Sequence, residues 1–329
     1  MNCFGTLYRT TIFGESHGIE IGAVIDGCPA GIPLCEDDFI PDLDRRRSGT
    51  RGTTPRKESD LPAIVSGVFN GFTTGAPITV LFKNENVLSN DYKNLITHPR
   101  PGHADFVAQV KYKGFTDYRG GGHFSGRITL GVVASGVIAK KILEKENINI
   151  QASILNIGGE NDKNRFSEII EDALRNRNSI GGTIECKASG IPIGLGEPFF
   201  NSVESLISHA IFAIPAVRGI EFGDGFKAAF QKGSEHNDLI ADRNGKTVTN
   251  HAGGINGGIT NGNDIIFRIA VKPTSSISSP QMTFNTETQK IEELVIKGRH
   301  DACIALRVPV IVEAMTALVL ADLSLIHKK

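Results

Sequence analysis

Apolar and polar positions alternate over Ile19–Ile25, and the turn-forming run CPAGIPL follows at Cys28–Leu34. That pattern predicts a strand closed by a turn. Ala63–Val68 and Ile78–Phe82 read as short strands joined by NGFTTGAP, whereas Leu88–His103 is polar and turn-rich. Ile148–Ile157, Gly182–Ala188 and Ile265–Val271 are strand-like, and Val203–Ile214 reads as a helix. Two longer stretches repeat at helical spacing. One runs Ile128, Val132, Ser135, Ala139, Ile142 within Ile128–Glu146; the other runs Ile304, Val308, Ile311, Met315, Leu318. Small residues in the first (Gly131, Ala134, Gly136, Ala139) allow another element to pack close. Each helix follows a basic or Gly-rich segment, RGGGHFSGR at Arg119–Arg127 and KGRHD at Lys297–Asp301. The parallel points to an internal duplication. With no linker between the halves, residues 1–329 are expected to form one interleaved domain.

Composition narrows the picture. The chain has 329 residues, 40% apolar and 22% charged, enough to bury a core without metals or disulfides. The net charge of -1 argues against a general polyanion binder, so any attraction for anions is local. Five cysteines form no CxxC pair, which disfavours a disulfide framework or zinc ribbon and fits a reducing, cytoplasmic location. The N-terminal segment lacks a signal pattern. Cys303–Ile326 is apolar but carries Arg307, Pro309, Glu313 and Asp322, so it is expected to be a buried helix rather than a membrane span.

Candidate chemistry concentrates in four places. Arg45–Lys57 holds six basic residues and no acidic one, a cluster that repels itself unless anions or carboxylates relieve it. Taken alone it reads better as a solvated loop. His17 lies in GESHG and His103 in RPGHAD, two loop histidines able to move protons near neutral pH, although a lone loop histidine is more often structural. Arg127 and Arg299 lie at or just before helix starts, where free N–H groups favour anions, and where Ser125 or Asp301 could instead cap the helix. No GxxxxGK[ST], HExxH or EF-hand pattern occurs, and GGGHFSG lacks the spacing of a dinucleotide fingerprint.

Taken together, GESHG, DLDRRRSGT, RPGHAD, the RGGG-x-x-S-x-R loop, NHAGGINGG, KPTSS and KGRHDAC resemble the chorismate synthase family. These segments run in the family's order from residue 14 to 303. The resemblance implies an α+β fold of antiparallel sheets and helices in layers, and a homotetramer. It implies an anti 1,4-elimination of phosphate from 5-enolpyruvylshikimate 3-phosphate to give chorismate, with reduced FMN required although the reaction has no net redox change. His17 is expected beside the leaving phosphate as general acid, and His103 beside the reduced flavin. Asp301 is expected to assist proton removal through the flavin. Arg46, Arg51, Arg127 and Arg299 are expected to bind substrate anions. His123, Phe124, Ser125, Gly257, Lys272, Pro273, Thr274, Ser275, Ser276 and again Arg299 are expected to contact FMN.

The chain departs from the family pattern at GGGHFSGR, where His123 and Phe124 replace the usual residues, and at Ile128, where the family has Glu. No reductase module is recognisable, so flavin reduction is expected from outside, by a separate reductase or indirectly by NADPH. Two other readings stay open: a flavin-independent phosphate lyase on the same scaffold, and a nucleic-acid module using Arg45–Lys57. The basic segment contains no aromatic residue, which disfavours the second. Neither nucleic acid nor membrane is expected as a partner.

Overall fold

The computed structural model describes residues 2–55, 58–85, 89–296 and 300–328. The N-terminal half runs β1 (Cys3–Phe4), β2 (Arg9–Gly14), β3 (Glu20–Asp26), α1 (Ile40–Arg46), β4 (Ala63–Ser66), β5 (Val68–Phe69), β6 (Phe72–Thr73), β7 (Ile78–Lys83), α2 (Asp105–Lys111) and α3 (Thr129–Glu144). The remainder runs β8 (Asn149–Ile157), α4 (Phe166–Arg175), β9 (Gly182–Ser189), α5 (Val203–Phe212), β10 (Val217–Phe222), α6 (Gly233–His236), β11 (Ile255–Asn256), β12 (Ile259–Thr260), β13 (Ile265–Val271), β14 (Gln281–Asn285), β15 (Lys290–Leu294) and α7 (Pro309–His327).

Among the described residues, two antiparallel sheets dominate, ordered β1-β2-β3-β7-β4 and β10-β13-β9-β8. Helix α3 packs on β2, β3 and β7, and α7 packs on β8 and β9. The two helices pack on each other, giving the order sheet, helix, helix, sheet. This layering explains their composition: a helix covered on both sides must be apolar all round. The expected α+β layering is present, and each half contributes one antiparallel sheet and one long helix, although strand order differs between them.

The small residues of α3 set how closely the layers approach. A side chain at Gly136 would place its Cβ 2.3 Å from the Ala314 Cβ and 2.5 Å from the Ala314 Cα, so the two helices touch there almost backbone to backbone.

Helix α7 is long and apolar enough to cross a membrane, yet 83% of its most apolar stretch is buried inside the protein. Its two acids are both engaged. Glu313 receives both guanidinium nitrogens of Arg45 at 2.7 Å, Lys140 Nζ at 2.9 Å and the Ala152 N–H at 2.9 Å. Burial raises its pKa, but these partners outweigh burial and hold it below the usual glutamate value. Asp322 accepts the N–H groups of Thr6, Leu7 and Tyr8 at 2.6–2.9 Å, pinning the N-terminal turn to α7.

Some boundaries differ from the sequence pattern. The strand expected over Ala63–Val68 stops at Ser66, and the chain continues through Gly67 into the separate β5–β6 hairpin. The last helix starts at Pro309, well after Asp301, because a 3-10 turn over Ile304–Arg307 intervenes; Pro then takes the first helical position, where its missing N–H costs nothing.

Gly136→Val is expected to force α3 and α7 apart and cost about 1–3 kcal/mol or more. A thermal or urea midpoint equal to that of the parent would show that the helices do not meet there.

Candidate functional site

A cavity of about 700 Å³ opens where the glycine loop ahead of α3, the 272–276 segment and the chain leading into α7 converge. Its size suits a small-molecule site. The first turns of both central helices border it, through Ile128 and Thr129 on one side and Val308 and Ile311 on the other. The dipoles of the two helices favour negative charge at this end.

The glycine loop lies between the two loop histidines. Gly120 and Gly121 take φ of 58° and 82°, a left-handed backbone that glycine adopts without steric penalty. A Cβ at Gly120 would fall 2.4 Å from the His17 ring, and one at Gly121 would reach 3.4 Å from His103 Cε1. The Ser16 N–H donates to the Gly122 carbonyl at 3.0 Å, holding GESHG against the loop. His17 is buried and stacks edge-on against Tyr92, with ring centroids 5.2 Å apart. His17 itself lies just behind Gly120 and Tyr92, both of which line the cavity.

His103 lines the cavity and is oriented by a buried carboxylate. Its Nδ1 lies 2.6 Å from Asp105 Oδ1, and Arg100 Nη2 is 3.0 Å from the same nitrogen. Two donors cannot bond each other, so Nδ1–H donates to Asp105, as Arg100 does through Nε and Nη2 at 2.7 Å. Burial pushes the Asp105 pKa up, but hydrogen bonds from Arg100 and His103 outweigh it and hold the carboxyl well below the usual range. Arg100 Nη1 also donates to Ser276 Oγ at 2.9 Å, joining RPGHAD to KPTSS.

Beneath the cavity, cations and carboxylates alternate. Asp60 binds Arg127 Nη1 at 2.7 Å and Arg46 Nη1 at 3.4 Å. Arg127 also donates Nη2 to the Lys83 carbonyl at 3.0 Å and Nε to Asn84 Oδ1. Arg46 donates to Thr129 Oγ1 and to the Gly126 carbonyl. Burial, with Arg307 and Arg127 nearby, lowers the Arg46 pKa to about 9, against the opposing pull of Asp60. Asp301 accepts the Thr54 N–H at 2.9 Å and faces Arg307 Nη1 at 3.3 Å, while Arg307 Nε donates to the Arg46 carbonyl.

The cavity thus unites Arg46, His103, Arg127, Asp301 and the whole of Lys272, Pro273, Thr274, Ser275 and Ser276, with His17 directly behind its wall. Lys272 Nζ is tied to the Gly102 carbonyl and Ser275 Oγ at 3.0 and 2.7 Å, and its pKa falls through burial and the proximity of Arg218. His123 and Phe124 border the cavity, but both imidazole nitrogens of His123 are committed, to the Gly14 carbonyl at 2.8 Å and Asn2 Oδ1 at 3.1 Å. His123 therefore acts as a clip between loop and strand. Ser125 accepts the Arg127 N–H at 3.3 Å and caps the turn, so the capping reading holds there.

Two expected residues are not brought in, and a third is not described. Arg51 is exposed and forks onto Glu171 of α4, because an exposed guanidinium pairs with whichever carboxylate is nearest. Gly257 lies in the turn between β11 and β12, outside the cavity wall. Arg299 falls outside the described residues. Conversely, Glu58, Asp60, Arg100, Arg218, His300 and Arg307 line the cavity without having been singled out. Arg100 and His300 lie inside the motifs RPGHAD and KGRHD, which mark them locally, whereas Glu58, Asp60, Arg218 and Arg307 depend on the fold for their place.

The family model described as chorismate synthase matches residues 8–325. A chorismate synthase of Chitinophaga pinensis is 60% identical over 329 residues, covering 100% of this chain and 98% of that protein. One from Thermococcus gammatolerans is 46% identical over 341 residues, covering 97% and 96%. A crystal structure of chorismate synthase superposes with a TM-score of 0.76 at 27% identity, covering 98% of this chain and 93% of the other. The residues that converge on the cavity come from motifs spread along this matched length, and the chain belongs to the chorismate synthase family.

Proposed function

We propose that this cavity is where the family's reaction takes place: phosphate leaves 5-enolpyruvylshikimate 3-phosphate and chorismate forms. The activity is that of a carbon–oxygen lyase in aromatic biosynthesis. The observation that carries the site assignment is the glycine loop seated between His17 and His103 at the edge of a cation-lined cavity.

The residues present fit a flavin mononucleotide beside the substrate. Among the described residues, Thr274 Oγ1 and His300 Nε2 are buried polar atoms without hydrogen-bond partners, and both residues line the cavity. Such atoms call for a ligand, since an unsatisfied buried polar group costs about 1–3 kcal/mol. Lys272 to Ser276 would hold the flavin, with Arg218 close to Lys272. Reduced FMN, when bound, supplies an electron-rich ring that eases departure of the allylic phosphate.

The chain's own residues position and compensate. Arg46 and Arg307, with the two helix N-termini, offset substrate anions that would otherwise repel one another. Arg127 already spends its donors on Asp60, Lys83 and Asn84, so its part is to hold the floor rigid unless the substrate displaces Asp60. His17 protonates the leaving phosphate, whose charge favours the imidazolium. His103, fixed in the Nδ1–H tautomer by Asp105, directs Nε2 toward the flavin side. Asp301, held by Thr54 and Arg307, keeps a carboxylate on the wall for proton removal.

Assembly as a homotetramer is part of the same proposal; exposed Phe199, Phe200, Phe226 and Phe230 at 80–91% accessibility support burial against further copies. The free cysteines accord with a cytoplasmic location. We place flavin reduction outside this chain, by a reductase or by NADPH acting indirectly.

An anaerobic assay with reduced FMN should show chorismate and phosphate released in equal amounts; turnover without flavin would favour the flavin-independent lyase instead. His17→Ala and His103→Ala should each fold and lose about 10²–10⁴ in kcat; near-parental turnover in both would refute the roles assigned. Asp105→Asn tests the positioning carboxylate through stability as well. Because the folded pKa is depressed, the contribution of Asp105 is complete above about pH 4 and is lost as pH falls further. The variant should be less stable by about 3 kcal/mol at pH 7, where Arg100 loses its buried partner, and the gap should narrow by about 1 kcal/mol at pH 3. A gap that does not change with pH would contradict the charge pairing.

A further inference from the structure

We propose that His300 is a further ligand-binding residue of this cavity, presenting Nε2 as a hydrogen-bond acceptor to an N–H or O–H of the bound cofactor or substrate. The inference rests on the functional reading above and adds a contact to it. His300 lines the cavity, and its Nε2 is buried with no hydrogen-bond partner among the described residues. The ring does hydrogen-bond the Ile296 backbone, and since Nε2 is unpartnered, the nitrogen engaged is Nδ1. A carbonyl can only accept, so Nδ1 carries the hydrogen and Nε2 keeps its lone pair. Burial and the neighbouring Arg100 cation lower the His300 pKa, against a smaller opposing pull from Asp301, so the ring stays neutral at physiological pH.

This chemistry differs from that of the charged groups on the wall and is shared with His103, whose Nδ1 also carries the hydrogen. The carboxylates of Asp60 and Asp301 are already taken up by Arg46, Arg127, Arg307 and the Thr54 N–H. The arginines and Lys272 offer donors alone. A neutral acceptor among them suits a donor on the ligand that carries no charge of its own. Two bound groups have that chemistry, the imide N–H of the flavin ring and the ring hydroxyl of 5-enolpyruvylshikimate 3-phosphate.

The test compares the full-length parent with His300→Leu, which removes the acceptor, and His300→Gln, which offers an amide oxygen at similar reach. FMN affinity is measured by fluorescence titration, and KM for 5-enolpyruvylshikimate 3-phosphate anaerobically with saturating reduced FMN. His300→Leu should weaken one of the two by about tenfold, the value expected for a buried acceptor losing its partner, and His300→Gln should recover most of it. Loss confined to FMN affinity assigns the contact to the flavin, and loss confined to KM assigns it to the substrate. If both quantities stay within about twofold in the Leu variant, or if Gln is impaired as much as Leu, the inference is overturned while an active parent leaves the functional reading standing. A parent that neither binds FMN nor forms chorismate overturns both.

Discussion

Compensation of buried positive charge governs this structure. Arg46 and Arg127 share the carboxylate of Asp60 under the cavity, with Glu58 Oε2 3.8 Å from Arg127 Nη2, and Arg307 leans on Asp301 a short distance away. An arginine buried without a partner would cost several kcal/mol, so each cation can stay only where a carboxylate or carbonyl meets it. That requirement draws together α1, the start of α3, the loop before β4 and the chain leading into α7. It also leaves the cavity floor poised: the same guanidinium groups that now face Asp60 and Asp301 are those an anionic substrate would engage.

The layered scaffold makes this arrangement rigid. Gly136 against Ala314 brings α3 and α7 close, and both helices start at the cavity. Chemistry can then be delivered by loops without the loops having to hold the fold, which is the usual division between scaffold and site. Each histidine has its own support. The glycine loop closes against His17 on one side and His103 on the other, while Asp105 selects the tautomer of His103. Arg100 links that carboxylate to Ser276, so the segment expected to hold the flavin and the histidine expected to face it move as one unit.

Much of this was legible in the sequence because the signals are local. Apolar residues at helical spacing from Ile128 and from Ile304 marked both central helices, alternation marked β3, and strand-like composition marked β7, β8, β9 and β13. Small residues in α3 foretold a close crossing but not its partner. Clustered glycines, loop histidines and motif order carried the family and most of the cavity residues. Arg51 shows the limit: as one basic residue in a basic run it looked equivalent to Arg46, yet Arg46 is buried against Asp60 and Arg51 is exposed on Glu171.

The sequence by itself determined the elements, their apolar character and the family, since periodicity and motif spacing depend on neighbours along the chain. Only the tertiary structure decided which charges meet. Asp60 finds Arg127 across 67 positions and Arg45 finds Glu313 across 268, and such pairings leave no mark in local pattern. Which nitrogen of His103 bears its hydrogen, and which nitrogen of His300 is left to accept one, follows from a carboxylate or carbonyl placed there by folding. Electrostatic and hydrogen-bond partners act over a few ångströms of space, and a chain folded into layers sets those distances almost independently of its order.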